Sequence, residues 1–265
     1  MKKYIIGFFC LAAVTTVVTT GCEKNEFHLK ENIFVTNKAY LKVNFVSSYR
    51  ANPLYQVKVD GIRVSNGLTF FTPFPGGGLN TGGGNYADYL GVDPGSRKVT
   101  ISLPFTGSDK DSIELASATV DLKAQKFHSL YFGDTAANTF SMLLEDDLTP
   151  PDSGFTRFRF INLIPDMPTA DLYFGTGSTA ATSMKVSGPI AYKSVSNYFN
   201  VPINTGTVWS MRLGGTDVST MVDTSYTSTS SVINQRIFTI TTRGYRSIRA
   251  STDPRRRMFS FIYNR

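Results

Sequence analysis

Leu41-Lys42-Val43-Asn44-Phe45 places an apolar side chain at every second position. Successive side chains in a strand point to opposite faces, so this spacing predicts a strand with one buried face. Tyr55, Val57 and Val59 alternate in the same way with Gln56 and Lys58, and Asp60-Gly61 then supplies a turn. Val99, Ile101 and Leu103 alternate with Thr100 and Ser102. No stretch after residue 38 carries a sustained helical period with caps. Short alternating runs bounded by Gly, Pro, Asn and Asp predict an all-β chain of half-buried strands in antiparallel sheets.

The second half of the sequence repeats the first. Lys42-Val43-Asn44-Phe45 is answered by Arg159-Phe160-Ile161-Asn162, and Tyr89-Leu90-Gly91-Val92 by Tyr198-Phe199-Asn200-Val201. Gln125–Leu130 is answered by Gln235–Ile240, and Phe140-Ser141-Met142 by Phe259-Ser260-Phe261. Four segments in one order, at offsets of 117, 109, 110 and 119 residues, predict tandem copies of one domain. About 110 residues is the size of an immunoglobulin-like β-sandwich. The expected organisation is a first sandwich over 39–148, a proline-stiffened linker at 149–154 and a second sandwich over 155–265.

The chain has 265 residues, a formal net charge of +7, two cysteines and two histidines. Hydrophobic residues at 41% are enough for a packed core, which excludes a wholly disordered chain. Two cysteines exclude a disulfide scaffold and a four-cysteine zinc site. Lys2 and Lys3, an apolar run over Tyr4–Val14 and small residues up to Gly21 read as a secretory signal over 1–21. Thr19-Thr20-Gly21-Cys22 resembles the lipobox of bacterial lipoproteins, with Thr19 where an aliphatic residue is usual. The resemblance implies acyl chains on Cys22, a lipidated tether over 22–38 and a place in the cell envelope at the outer membrane, on its periplasmic or surface face. Acidic Glu23 and Glu26 resemble the surface-export signal of Bacteroidetes lipoproteins. Cys10 would leave with the signal.

The charge is uneven. Residues 236–265 hold eight arginines against the single acid Asp253. A basic patch fits an anionic glycan or a lipid headgroup, besides serving as solvated edge protection. An exported protein rarely meets nucleic acid, so none is expected as a partner.

Phe158–Tyr173 contains Asn162-x-x-Pro165-Asp166-x-Pro168-x-x-Asp171, followed by Tyr198-Phe199-Asn200-Val201-Pro202. These segments resemble the family called domain of unknown function 4397, over roughly Phe155–Ile240. In the first half, Ser47–Pro53 stands in place of the Pro-Asp segment. The resemblance implies exported, immunoglobulin-like sandwiches and no known activity.

Asp166 and Asp171 are the carboxylates that could hold calcium or divide acid and base work; turn chemistry explains the same residues. Glu145-Asp146-Asp147 reads as a solvated strand end, with a calcium site at the junction as the alternative. Phe74–Tyr86 is glycine-rich but lacks the Gly-Lys-Ser/Thr of a phosphate loop. It reads as a long mobile loop, with Phe74, Tyr86 and Tyr89 as aromatic rims for a ligand or partner. Arg255, Arg256 and Arg257 are the basic candidates. His128 reads as a packed or solvent-facing strand residue, and Trp209 as core, with an exposed sugar-stacking platform as the alternative. No catalytic residues and no cofactor are expected. The function expected is a lipid-anchored, non-enzymatic binding or structural module for a glycan or an envelope protein. The alternative is a carbohydrate-active enzyme or a calcium-dependent adhesin using loop carboxylates.

Overall fold

The computed structural model describes residues 37–105, 111–215 and 222–265. Cys22, the signal and the tether up to residue 36 lie outside the described residues. Residues 37–265 form one compact unit.

The first half holds nine strands: β1 (Ala39–Phe45), β2 (Gln56–Val59), β3 (Ile62–Arg63), β4 (Gly78–Leu79), β5 (Leu90–Val92), β6 (Gly95–Pro104), β7 (Asp111–Leu122), β8 (Phe127–Gly133) and β9 (Phe140–Asp146). The second holds β10 (Phe155–Asn162), β11 (Thr169–Gly175), β12 (Ser183–Ala191), β13 (Ser194–Val195), β14 (Phe199–Pro202), β15 (Val208–Leu213), β16 (Thr224–Thr227), β17 (Ile237–Arg243) and β18 (Met258–Tyr263).

Each half folds into two facing sheets, ordered alike. In the first half the sheets run β5-β1-β8-β9 and β3-β2-β6-β7. In the second they run β10-β17-β18, flanked by β13 and β14, and β12-β11-β15-β16. The repeated sequence segments fall on β1 and β10, beside β5 and β14, on β8 and β17, and on β9 and β18. Pairing is antiparallel except once per half. β1 runs parallel to β8, and β10 parallel to β17. Those two strands open and nearly close their half of the chain, so no hairpin joins them and no antiparallel register is imposed.

The period-two pattern fills each half. Leu41, Val43 and Phe45 pack with Val57, Val99, Ile101, Leu130 and Phe132. In the second half Phe158, Phe160, Phe174, Trp209, Phe238, Ile240 and Phe261 form the core. Trp209 is fully buried, with ring centroids 4.5 Å from Phe174 and 4.9 Å from Phe158, and its indole N–H reaches the Ser231 hydroxyl at 2.9 Å. A buried Trp needs such a partner.

The polar face of β1 departs from expectation. Lys42 and Asn44 are as buried as their apolar neighbours. The same holds for Ser129 on β8, Arg159 on β10, Thr239 and Thr241 on β17, and Ser260 on β18. The cause is a third packed layer: the outer faces of β1-β8-β9 and β10-β17-β18 meet. Val46, Tyr131, Ile161, Leu163 and Ile262 form an apolar cluster there, with Phe140, Met142 and Leu144 against it.

The glycine-rich segment also departs from the mobile loop expected of it. Phe74 pairs with Val43 through two backbone hydrogen bonds of 2.7 and 2.9 Å. β4 then crosses to the second half and adds to β18, with Gly78 opposite Ile262 and Leu79 opposite Phe261. Glycine is what allows the approach: a Cβ on Gly78 would lie 1.9 Å from the Phe261 carbonyl oxygen, and one on Gly77 1.6 Å from that of Gly84.

Candidate functional site

The halves meet around Asp146, the last residue of β9. Its carboxylate, expected at a solvated strand end, is buried and pairs with Arg159, itself buried. The other carboxylate oxygen accepts from Ser129 Oγ at 2.6 Å, Tyr89 Oη at 2.7 Å and Asn264 Nδ2 at 3.3 Å. Arg159 also donates to Thr239 Oγ1 at 3.0 Å and to the Glu145 carbonyl at 3.1 Å. A buried ion pair is tolerated when its remaining donors and acceptors are satisfied in this way. Beside it Lys42 donates to the Tyr263 carbonyl and lies 4.3 Å over the Tyr89 ring. Burial pulls the Lys42 ammonium down to about 8, against the attraction of Asp146 and Asp88. Burial, and then the Asp146 charge, push the Tyr89 phenol well above its ordinary value.

A cleft opens over this network. Its cavity of about 510 Å³ is lined by Tyr40, Tyr86, Tyr89 and Phe127, by Asn85, Ala87 and Asp88, and by Arg236, Asn264 and Arg265 from the second half. Tyr40 and Phe127 stack with centroids 4.7 Å apart, and Tyr89 meets Phe127 edge-on at 5.1 Å. Tyr86 is 57% exposed at the rim. An adjoining cavity of about 650 Å³ shares Phe127 and Arg265 and extends along Lys126, Glu145 and the linker residues Thr149 and Pro150. Aromatic walls with a few hydrogen-bonding groups suit a ligand with both apolar faces and hydroxyls.

The expected site residues are scattered. Tyr86 and Tyr89 line the cleft, but Tyr89 is half-buried and bonded into the Asp146 network rather than free at a rim. Phe74 is bridged to β1 and packed against the first core, so it does not rim a loop. Arg255 is turned back on Asp253 at 2.8 Å. Arg256 donates to the Ser251 carbonyl, and Arg257 to that of Asp223. Asp166 accepts the backbone N–H groups of Arg246 and Ser247. Against the upward push of burial, those bonds hold its carboxyl below the ordinary value. Asp171 is buried, taking the Gly215 N–H at 3.1 Å and the Lys185 ammonium at 3.5 Å. Neither aspartate lines the cleft; both oxygens of Asp166 serve backbone amides, and Asp171 engages Oδ2 while its buried Oδ1 has no hydrogen-bond partner among the described residues. Among the described residues no group of three or more His, Cys, Asp or Glu side chains is placed to hold a metal ion. His128 is buried, its Nε2 accepting the Lys123 N–H at 3.4 Å.

The sequence pattern did not single out Tyr40, Phe127 or Asn264, and it marked Arg236 and Arg265 only as members of the basic stretch 236–265. Tyr40, Phe127 and Asn264 lie in strands or beside them, with nothing local to separate them from ordinary alternating residues. What gathers them is the packing of one half on the other.

The family model for the domain of unknown function DUF4397 matches residues 42–173. The chain belongs to the DUF4397 family. The DUF4397 match covers the first half and the opening of the second, including Asn162–Asp171. It therefore lies mostly upstream of Phe155–Ile240, where the sequence resemblance was strongest. No curated protein matches the chain. Among solved structures, a putative cell adhesion protein from Bacteroides uniformis ATCC 8492 is similar at 8% identity and a TM-score of 0.23, with 84% of this chain and 96% of that one covered. A leucine-rich repeat protein from Bacteroides thetaiotaomicron VPI-5482 is similar at 14% identity and a TM-score of 0.19, with 77% of this chain and 26% of that one covered. Among the described residues of this DUF4397 chain, no helix is long and apolar enough to cross a membrane.

Proposed function

We propose that this protein is a lipid-anchored, non-enzymatic binding module of the cell envelope, built from tandem immunoglobulin-like domains, with the aromatic cleft between its halves as the ligand site. The cleft carries the reading. Tyr86 stands exposed beside the stacked Tyr40 and Phe127, and the exposed Asn85 and Asp88 supply hydrogen-bonding groups around them. A sugar ring offers the matching chemistry, an apolar C–H face and a hydroxyl edge. The non-enzymatic part is supported by Asp166, whose two oxygens serve backbone amides, leaving no second carboxylate to pair with Asp171 across a groove. The anchor is supported by the sequence around Cys22, and the acyl chains it implies would hold the domains at a bilayer.

The test is a glycan array with the soluble chain from Glu23, run beside Tyr86→Ala. A glycan that binds the native chain and loses at least tenfold in affinity to Tyr86→Ala supports the cleft. Binding that survives Tyr86→Ala moves the site elsewhere, and an array without a hit favours an envelope-protein partner. Cys22→Ala with detergent phase partitioning tests the anchor: retention in the detergent phase overturns it.

A further inference from the structure

The basic stretch resolves into one built cavity. Ile248, Arg249, Ser251, Arg256, Arg257 and Met258 line a hollow of about 270 Å³ together with Asp223, Thr224 and Ser225. Three guanidinium groups therefore share this space with one carboxylate. Asp223 Oδ1 takes Arg246 Nε at 2.9 Å and lies 3.8 Å from Arg257, while its buried Oδ2 has no hydrogen-bond partner among the described residues. Arg256 donates to a neutral carbonyl, that of Ser251. Arg243, paired across β17 and β18 with the lining residue Met258, is buried, and its bonds run to Ser260 Oγ at 3.1 Å and the Asn80 carbonyl at 3.3 Å, both uncharged. Its burial and the nearby Arg256 charge depress its pKa. Crowded cations in a concavity set up a field that favours an anion, and guanidinium forks match planar and tetrahedral oxyanions.

We propose that this cavity is an oxyanion site that takes a single carboxylate or sulfate group carried by a soluble acidic sugar. The volume limits the guest to one charged group and part of a ring. Thr224, Ser225 and Ser251 add hydroxyls at the wall, which suit a hydroxylated carrier. A membrane surface fits less well. The large apolar side chains that stand exposed among the described residues are Leu54, Ile62, Tyr86, Phe105, Ile113, Met184 and Val195, none of them in the arginine segment, and the cavity's own apolar residues, Ile248 and Met258, are partly buried, which leaves little to insert between lipids. The site shares no lining residue with the aromatic cleft, and the two can be tested apart.

The experiment is calorimetric titration of the intact chain at low ionic strength with sodium sulfate, with oligogalacturonate and with phosphatidylglycerol vesicles. Arg249→Gln, Arg256→Gln and their double variant are titrated alongside, together with Tyr86→Ala. The expected result is saturable binding of sulfate and tighter binding of oligogalacturonate. Each single variant should weaken both at least threefold and the double variant at least tenfold, while Tyr86→Ala leaves them unchanged. Arg249 is exposed, so its variant keeps the fold if the double variant does not. Absence of saturable binding by both anions, or binding by Arg249→Gln and Arg256→Gln as tight as by the native chain, overturns the proposal. Binding of vesicles without oligogalacturonate overturns it in favour of a lipid headgroup.

Discussion

Asp146→Ala should cost more than any surface change in this protein. The native carboxylate is fully buried and answers four donors: the Arg159 guanidinium, the Ser129 and Tyr89 hydroxyls and the Asn264 amide. Alanine removes all four acceptor contacts and leaves the buried guanidinium with Thr239 Oγ1, the Glu145 carbonyl and the Tyr198 ring 5.4 Å away, and no counter-charge at Asp146. Losing one partner of a buried pair costs roughly 3–5 kcal/mol, chiefly through the stranded charge. At about 2–4 °C per kcal/mol for a chain of this size, the melting temperature should fall by roughly 6–20 °C. Urea unfolding followed by tryptophan fluorescence and by far-ultraviolet circular dichroism measures the loss. The sole tryptophan, Trp209, reports the second half alone, whereas the dichroism reports both. Since Asp146 and Arg159 lie on opposite sides of the junction, the two transitions should coincide in the native chain and separate in the variant. Asp146→Leu combined with Arg159→Met removes both charges and should recover most of the loss. A loss under about 1 kcal/mol, or a double variant as damaged as the sum of its parts, would refute the network as the coupling between the halves.

Lys42 makes stability depend on alkaline pH. Its folded pKa of about 8 lies below the ordinary 10.5, so between these values the unfolded chain binds the extra proton and stability rises with pH. From pH 8 to 10 the gain should be roughly 2 kcal/mol, and Lys42→Met should flatten it in urea titrations. Above pH 10 the trend reverses, because the buried Tyr89 and Tyr55 phenols are held protonated while their unfolded counterparts ionise. Gly78→Ala forces a side chain against the Phe261 carbonyl and should cost roughly 1–3 kcal/mol. Limited proteolysis should then cut within 79–86 faster than in the native chain. Gly91→Ala, where an added Cβ meets nothing within 4 Å, is the neutral control, and equal cutting in both variants would remove β4 as a strap.

What the sequence made legible follows from the range of the forces involved. A strand's side-chain period and a turn's Asp, Gly or Pro are local, so the alternation of Leu41, Val43 and Phe45 and the burial of Trp209 could be read directly. The chemistry of Asp166 was legible for the same reason in part: an Asn-x-x-Pro-Asp segment is turn-forming, although its amide partners, Arg246 and Ser247, lie some 80 residues away. The aromatic cleft was not legible, because no local rule encodes it. Lys42, Asn44, Arg159 and Thr239 occupy the polar phase of their strands, and in a lone sandwich that phase faces water. Here the same phase in both halves faces the other half. Alternation therefore predicts correctly which residues share a face and wrongly what covers that face. A polar residue in a strand can be paired across an interface as readily as solvated, and only the partner decides. Arg159 between Phe158 and Phe160 and Asp146 at the end of β9 each look ordinary alone. Their pairing 13 residues apart in sequence, across a linker, is what fixes the halves and so builds the cleft beside Tyr89. A ligand seated in that cleft would touch both halves at once, so its binding energy would add to the coupling that Asp146 supplies, and Asp146→Ala should weaken ligand binding without touching the ligand.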